Sequence, residues 1–277
     1  MSNTNEVPDN SQTFNLPSNR YLWKSLGEYD ALVEYQEVAN RLLLKAYEGS
    51  NQSFVDFLKG ASNTTGIQLY DITLQNYREK IIQGYLVYPN AVFDEFLTRF
   101  ISDVRNLIDA AFDKSKIDGC RFDKVKYALV KKGIDPAIPK VQLDLYNYYR
   151  LLRNGVAHGS DSEFENAYKR IDKKAVNGYY PTLSDPQPKD SLGFDDFILC
   201  TANIKNIADA MTKSLFPHVD WTECCITNQE TWLPRHSKFM SENCKDRMMN
   251  YINNTLVTLY GVKLLNEELE TIIGSLE

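Results

Sequence analysis

The 277-residue chain predicts an all-α protein, on three observations. Apolar residues recur at steps of three and four along most of its length. No run shows sustained period-two alternation. No unit of 20 to 50 residues repeats, which argues for a bundle over a solenoid.

The elements follow in order. Residues 1–20 are polar, rich in Asn, Ser and Pro, and read as a disordered arm. Order is expected from Tyr21, where Leu22, Leu26, Tyr29 and Val33 open a long helix that stops at Gly49. A short segment from Phe54 to Lys59 and a polar loop lead to the strongest helix, expected over Val92 to Phe112. Phe93, Leu97, Phe100, Val104, Leu107 and Ala111 line one face there, with Pro89 and Asn90 at its start.

A shorter helix from Phe122 to Lys132 ends at Gly133. After Pro136 and Pro139 the next carries Val141, Leu145, Tyr148 or Tyr149, Leu152 and Val156 at helical spacing. Residues 160–176 are expected to be helical and residues 177–193, rich in Pro, Gly and Ser, to be a loop. A helix with Ile204, Ala208, Met211 and Leu215 then runs from Phe194 to the break at Pro217. Residues 220–237 read as irregular. The tail from about Asp246 reads as helical, with Leu265, Leu269, Ile272 and Leu276 at good spacing. The expected organisation is an N-terminal arm (1–20), a helical extension (21–64), a main bundle (65–216) and a C-terminal helical extension (217–277).

A hydrophobic fraction of 43% is ordinary for a globular chain that folds without staples. No apolar run is long enough to span a bilayer, and the start lacks the basic and apolar regions of an export signal. The expectation is therefore a cytoplasmic protein with no membrane partner. The five cysteines lack regular spacing and read as reduced thiols. His218, Cys224, Cys225, His236 and Cys244 can be assembled into a zinc set, but they lack a C-x-x-C pair. Small buried side chains are preferred, with no metal and no cofactor.

The net charge of −6 argues against a protein that coats nucleic acid, because phosphate neutralisation favours a broad basic surface. It leaves room for a local site. Between Arg121 and Lys174, twelve Lys and Arg stand against seven Asp and Glu, which leaves that segment at +5 and the remainder at −11. Within it lies "YYRLLRNGVAHGS", Tyr148 to Ser160.

On a helix, Arg150, Asn154 and His158 fall in one stripe, a turn apart. Arg153 and His158, five residues apart, converge if the helix loosens near Gly155 or the guanidinium reaches across. Arginine offers a charged planar fork matched to phosphate oxygens, histidine takes and returns a proton near neutral pH, and asparagine can orient either. With no carboxylate cluster in the stretch, metal catalysis is not what these residues indicate. The same residues also fit a bland reading, a cation at a helix C-terminus beside ordinary surface arginines.

The segment R-N-G-V-A-H, Arg153 to His158, resembles the R-x4-6-H motif of the HEPN superfamily (higher eukaryotes and prokaryotes nucleotide-binding). The surrounding helical order resembles that family as well, over about Tyr85 to Phe216. The resemblance implies a HEPN-like helical bundle and a metal-independent endoribonuclease, often a toxin or antiviral effector with an antitoxin or other regulatory protein as partner. It implies that His158 works as general base or acid and that Arg153 stabilises charge on the transferring phosphate. Asn154 would position one or the other, and the products would be a 2′,3′-cyclic phosphate and a 5′-hydroxyl.

It further implies a homodimer with a composite active site and an acidic partner from the preceding long helix, for which Asp94 and Glu95 are the candidates. Arg150 is assigned phosphate binding. Tyr146, Tyr148 and Tyr149 are candidates for stacking on RNA bases, Tyr149 first, with core packing expected for at least two of them. The competing expectation is a non-catalytic HEPN module that binds nucleotide, RNA or a protein partner. A third is a structural helical adaptor.

Overall fold

The computed structural model describes residues 10–158, 163–235, 238 and 245–276, with the side chains of residues 156–158 excepted. The described residues form helices joined by loops and contain no strand. The helices are α1 (Asn10–Thr13), α2 (Pro17–Glu48), α3 (Phe54–Thr65), α4 (Leu74–Tyr85), α5 (Val87–Leu107), α6 (Arg121–Lys131) and α7 (Lys140–His158). They continue with α8 (Glu163–Lys169), α9 (Lys173–Tyr179), α10 (Phe194–Leu215), α11 (Trp221–Thr227), α12 (Gln229–Trp232), α13 (Lys245–Tyr260) and α14 (Asn266–Leu276).

The chain divides into two compact units. Unit 1 takes the chain up to Leu22 together with Asp94–Ile138 and Ile207–Glu277, and unit 2 takes Trp23–Phe93 and Pro139–Asn206.

In unit 1 the core forms where the apolar faces of Phe96, Phe100, Val104, Val125, Leu129, Met211 and Leu215 are withdrawn from water, together with Met248, Ile252 and Leu256 of α13. Residues 10–20, expected to be disordered, belong to this unit. Phe14 and Leu16 are buried. Asn10 binds Lys263 twice, donating through Nδ2 to its carbonyl (2.8 Å) and accepting its N–H at Oδ1 (2.9 Å). Asn15 N–H donates to the Tyr260 carbonyl (2.9 Å), and Arg20 Nη2 donates to the Leu259 carbonyl (2.7 Å). Gly261, at φ +71°, passes so close that an added Cβ would stand 2.1 Å from the Thr13 carbonyl oxygen. The arm is polar in composition, but Asn10, Asn15 and Arg20 are tied to residues 259–263, which is why composition alone misreads it.

Other boundaries differ from expectation: α3 runs past Lys59 to Thr65, through residues expected as a polar loop, and ends at Gly66 with φ +71°. The long helix, expected over Val92 to Phe112, is α5 from Val87 to Leu107: it starts earlier because a proline in the first turn lacks an N–H that would have no helical acceptor there, and it stops short of Ala111 and Phe112, where the Phe112 N–H donates to the Asp109 carbonyl in a turn (2.9 Å). Residues 160–176, expected as one helix, include α8 and the start of α9. Asp172 N-caps α9 by accepting the Ala175 N–H (3.1 Å). Residues 220–235 are not irregular. Asp220 accepts the Glu223 N–H (3.0 Å) and starts α11, and α12 follows. Gly133, at φ +81°, ends the α6 segment where the sequence places the stop.

In unit 2, α2 buries Leu26 and Val33, while Phe93, Leu145, Tyr148, Tyr149, Leu152, Phe197 and Leu199 make the centre of the core. Phe197 takes edge contacts from Tyr29 and Tyr85, with ring centroids 5.8 and 5.9 Å away. Helices α8 and α9 both pack on α7. No helix among the described residues is long and apolar enough to cross a membrane.

Candidate active site

The motif helix α7 is positioned by its own tyrosines. Tyr149 is buried and its hydroxyl donates to Asp196 Oδ1 (2.9 Å); the same carboxylate accepts the Gln187 N–H at Oδ1 and the Gly193 N–H at Oδ2, each at 2.9 Å. Burial raises the Asp196 pKa against these three lowering bonds. Burial first, and then the neighbouring Asp196 charge, push the Tyr149 phenol well above its ordinary value. Tyr148 donates to the Gln187 carbonyl (2.5 Å). At the other end of the helix, Asn203 of α10 donates to the Gln142 carbonyl (3.0 Å) and accepts from the Tyr180 hydroxyl (2.9 Å). The first part of α7 is therefore bolted by hydrogen bonds to residues distant in sequence.

Its last turns differ. Arg150, Arg153 and Asn154 are half-buried. Arg150 Nη2 donates to Asn147 Oδ1 (2.7 Å), and Arg153 Nη1 donates to Asn154 Oδ1 (3.1 Å). The Nε atoms of both arginines are buried and, among the described residues, meet no acceptor. Both guanidiniums are thus held by neutral amides on their own helix, with charge left to satisfy.

The backbone stays helical to His158, so Gly155 introduces no break. Arg150, Asn154 and His158 consequently occupy successive turns. Arg153 and His158 are about 140° apart around the axis and about 7.5 Å apart along it. The His158 side chain and residues 159–162 lie outside the described residues.

The remaining expected residues fall elsewhere. Tyr149 has its ring in the core and its hydroxyl on Asp196, which removes it as a stacking platform; Tyr146 and Tyr148 are buried too. Asp94 and Glu95 belong to unit 1. Asp94 is exposed, and Glu95 accepts from Arg99 Nε at 2.8 Å, with that guanidinium stacked 3.9 Å from the centre of the Tyr21 ring. Of the zinc set, Cys224 donates to the Leu107 carbonyl (3.2 Å), and burial pushes the Cys224 and Cys225 thiols up to about 12, away from thiolate. His236 and Cys244 lie outside the described residues.

Sequence reasoning missed a recess of about 370 Å³ beside α7, lined by Tyr148, Phe164, Tyr168, Lys169 and Lys189 among others. The Lys189 ammonium lies 5.2 Å from the centre of the Phe164 ring, and that of Lys173 lies 5.2 Å from the centre of the Tyr168 ring. Its volume falls within the range of small-ligand sites. The legible signal was the aromatic pair Phe164 and Tyr168, four residues apart, followed at once by Lys169. No family model, curated protein or solved structure matches the chain.

Proposed function

We propose that the protein is a metal-independent endoribonuclease of HEPN type. The observation that carries the reading is the pair of half-buried guanidiniums, Arg150 and Arg153, that meet no carboxylate among the described residues, on an unbroken helix that ends at His158. A phosphodiester supplies what these groups lack: oxygens carrying negative charge, in a geometry the guanidinium fork accepts in two bonds.

In this reading Arg153 neutralises the charge that builds on the phosphoryl oxygens as the ribose 2′-oxygen attacks phosphorus. His158 removes the 2′-hydroxyl proton or returns one to the departing 5′-oxygen. Asn154, already bonded to Arg153, holds that guanidinium in place, and Arg150 grips a neighbouring phosphate. The products are a 2′,3′-cyclic phosphate and a 5′-hydroxyl. A homodimer with two facing motifs would supply the second histidine, so that one acts as base and the other as acid. An antitoxin or activator would act on this site.

One observation favours a second reading, a non-catalytic module that binds RNA or nucleotide. The continuous helix turns Arg153 and His158 about 140° apart, a geometry better suited to gripping phosphate than to acting on one phosphorus from a single chain.

Cleavage of mixed single-stranded RNA in EDTA separates the two. The nuclease reading expects cyclic-phosphate ends from the wild type and a loss of at least about a hundredfold in rate for both Arg153→Ala and His158→Ala. Binding of RNA without cleavage, weakened by Arg153→Ala and not by His158→Ala, would select the module.

A further inference from the structure

Helix α2 is apolar on two opposite faces. One is buried through Leu26 and Val33. On the other, Leu32, Tyr35, Val38 and Leu42 are 51, 79, 60 and 63% exposed, and Ala31, Ala39 and Ala46 are exposed between them. Leu32, Tyr35, Ala39, Leu42 and Ala46 are spaced three, four, three and four, the seam of a coiled coil carried for two heptads. No charged residue interrupts the seam over that length. A soluble helix ordinarily turns charges outward on the face away from its core.

We propose that this face pairs with the same face of a second copy of the chain, antiparallel, about a two-fold axis at Ala39. Three features of the stripe select that occupant. The four large side chains alone expose on the order of 500 Å² of apolar surface, comparable with the largest patch on a typical monomer and more than half of the roughly 800 Å² per partner that a stable interface buries. The remainder comes from the alanines and from the aliphatic stems of flanking charged residues.

The stripe is also self-complementary in volume when run antiparallel. Leu32 opposes the second copy's Ala46, Tyr35 opposes its Leu42, and Ala39 meets Ala39 on the axis, which allows close approach. Run parallel, large residues face large ones and the alanines leave gaps. Charge makes the third argument. Exposed Glu28 and Glu34 flank the N-terminal end and exposed Arg41 and Lys45 the C-terminal end, so the antiparallel arrangement sets acid against base and also opposes the helix dipoles. The result is an isologous two-fold contact that does not use the Arg153 segment.

Sedimentation of the full chain over a hundredfold concentration range tests this. The expected result is a reversible step that doubles the mass, from 31.9 kDa or, where two motifs already face each other, from that dimer, and that is weakened at least about a hundredfold by Leu42→Glu and by Tyr35→Glu. Helical circular dichroism and the thermal midpoint at low concentration should be unchanged, because both side chains already face solvent. Mixed Leu32→Cys and Ala46→Cys chains, with the wild type as control, should cross-link to each other more than either does to itself. A monomer over the whole range, which would leave the face to a different partner, overturns the proposal. So does a dimer indifferent to both glutamates, and Leu32→Cys joining preferentially to itself overturns the antiparallel arrangement.

Discussion

The contact between the N-terminal arm and the tail in unit 1 and the last turns of α7 in unit 2 are both rich in polar side chains, and they treat them in opposite ways. In the first, the side chains of Asn10 and Arg20 and the main-chain N–H of Asn15 each find a backbone partner on residues 259–263, more than 230 positions away in sequence. In the second, among the described residues, Arg150 and Arg153 reach amides three residues or one residue away, and each keeps a buried Nε without an acceptor. In the first region side chains reach backbone far along the chain, and Asn19 Oδ1 is, among the described residues, a buried oxygen left over. Groups left half-satisfied on a rigid support are available to something else.

The largest effect should come from breaking the saturated region. Gly261→Ala places a Cβ 2.1 Å from the Thr13 carbonyl oxygen at a backbone angle that side chains rarely adopt, and the obstacle is main chain, which cannot swing aside. The substitution should cost about 3 kcal/mol in urea unfolding and expose residues 10–20 to early proteolysis. A loss under about 0.5 kcal/mol would mean that the arm contributes little to unit 1.

A smaller effect sharpens the same region. Asp103 is buried and its Oδ2 accepts the Ser18 N–H (3.0 Å), one of the N–H groups that the start of α2 leaves without a helical acceptor. Burial raises its pKa, more than the bonds to Ser18 and the charges of Arg20 and Arg99 lower it. A carboxyl raised on folding binds more protons in the native state than in the unfolded one. Its contribution is therefore fully present below the unfolded value near 4 and is lost as pH rises through the folded pKa. Asp103→Asn keeps an oxygen for the Ser18 N–H but cannot ionise. The stability of the wild type relative to this variant should fall between pH 4 and pH 7, measured by denaturant unfolding at three pH values. A difference that rises with pH would show the carboxylate to be favoured by its partners after all.

The same contrast explains what the sequence could tell. Helices α2, α6 and α10 are legible because each carries its apolar spacing locally and meets Gly49, Gly133 or Pro217 at its end, and α7 because its spacing opens directly after Pro139. The order of residues 10–20 is not legible, since it rests on Asn10 meeting Lys263 and on Gly261 fitting beneath Thr13, pairings that leave no periodic trace. Asp220 is an intermediate case: its cap is local and readable, yet helix α11 is short enough to pass for a loop. At the candidate site, Arg150, Arg153 and Asn154 stand out as a motif, whereas the role of Tyr149 depends on Asp196, 47 positions away. Three tyrosines near a cationic segment look alike in sequence. Burial sends all of them into the core.

The smallest expected change in stability is at Arg153, and it sets the two regions most directly against each other. If this arginine served the fold, removing it would leave a partner group unpaired in the interior, at a cost of about 3 kcal/mol or more. Among the described residues its hydrogen-bond partner is the amide of Asn154, which is only half-buried, and its own Nε meets no acceptor. Arg153→Met keeps the unbranched stem that packs along α7 and removes a charge that the interior does not satisfy. The variant should unfold within about 0.5 kcal/mol of the wild type, or be slightly more stable, while its affinity for a single-stranded RNA oligonucleotide falls and becomes less sensitive to salt. Loss of stability without loss of binding would move Arg153 into the scaffold, alongside Asn10 and Arg20. Retained stability with lost binding would place it among the groups that the fold holds ready for phosphate.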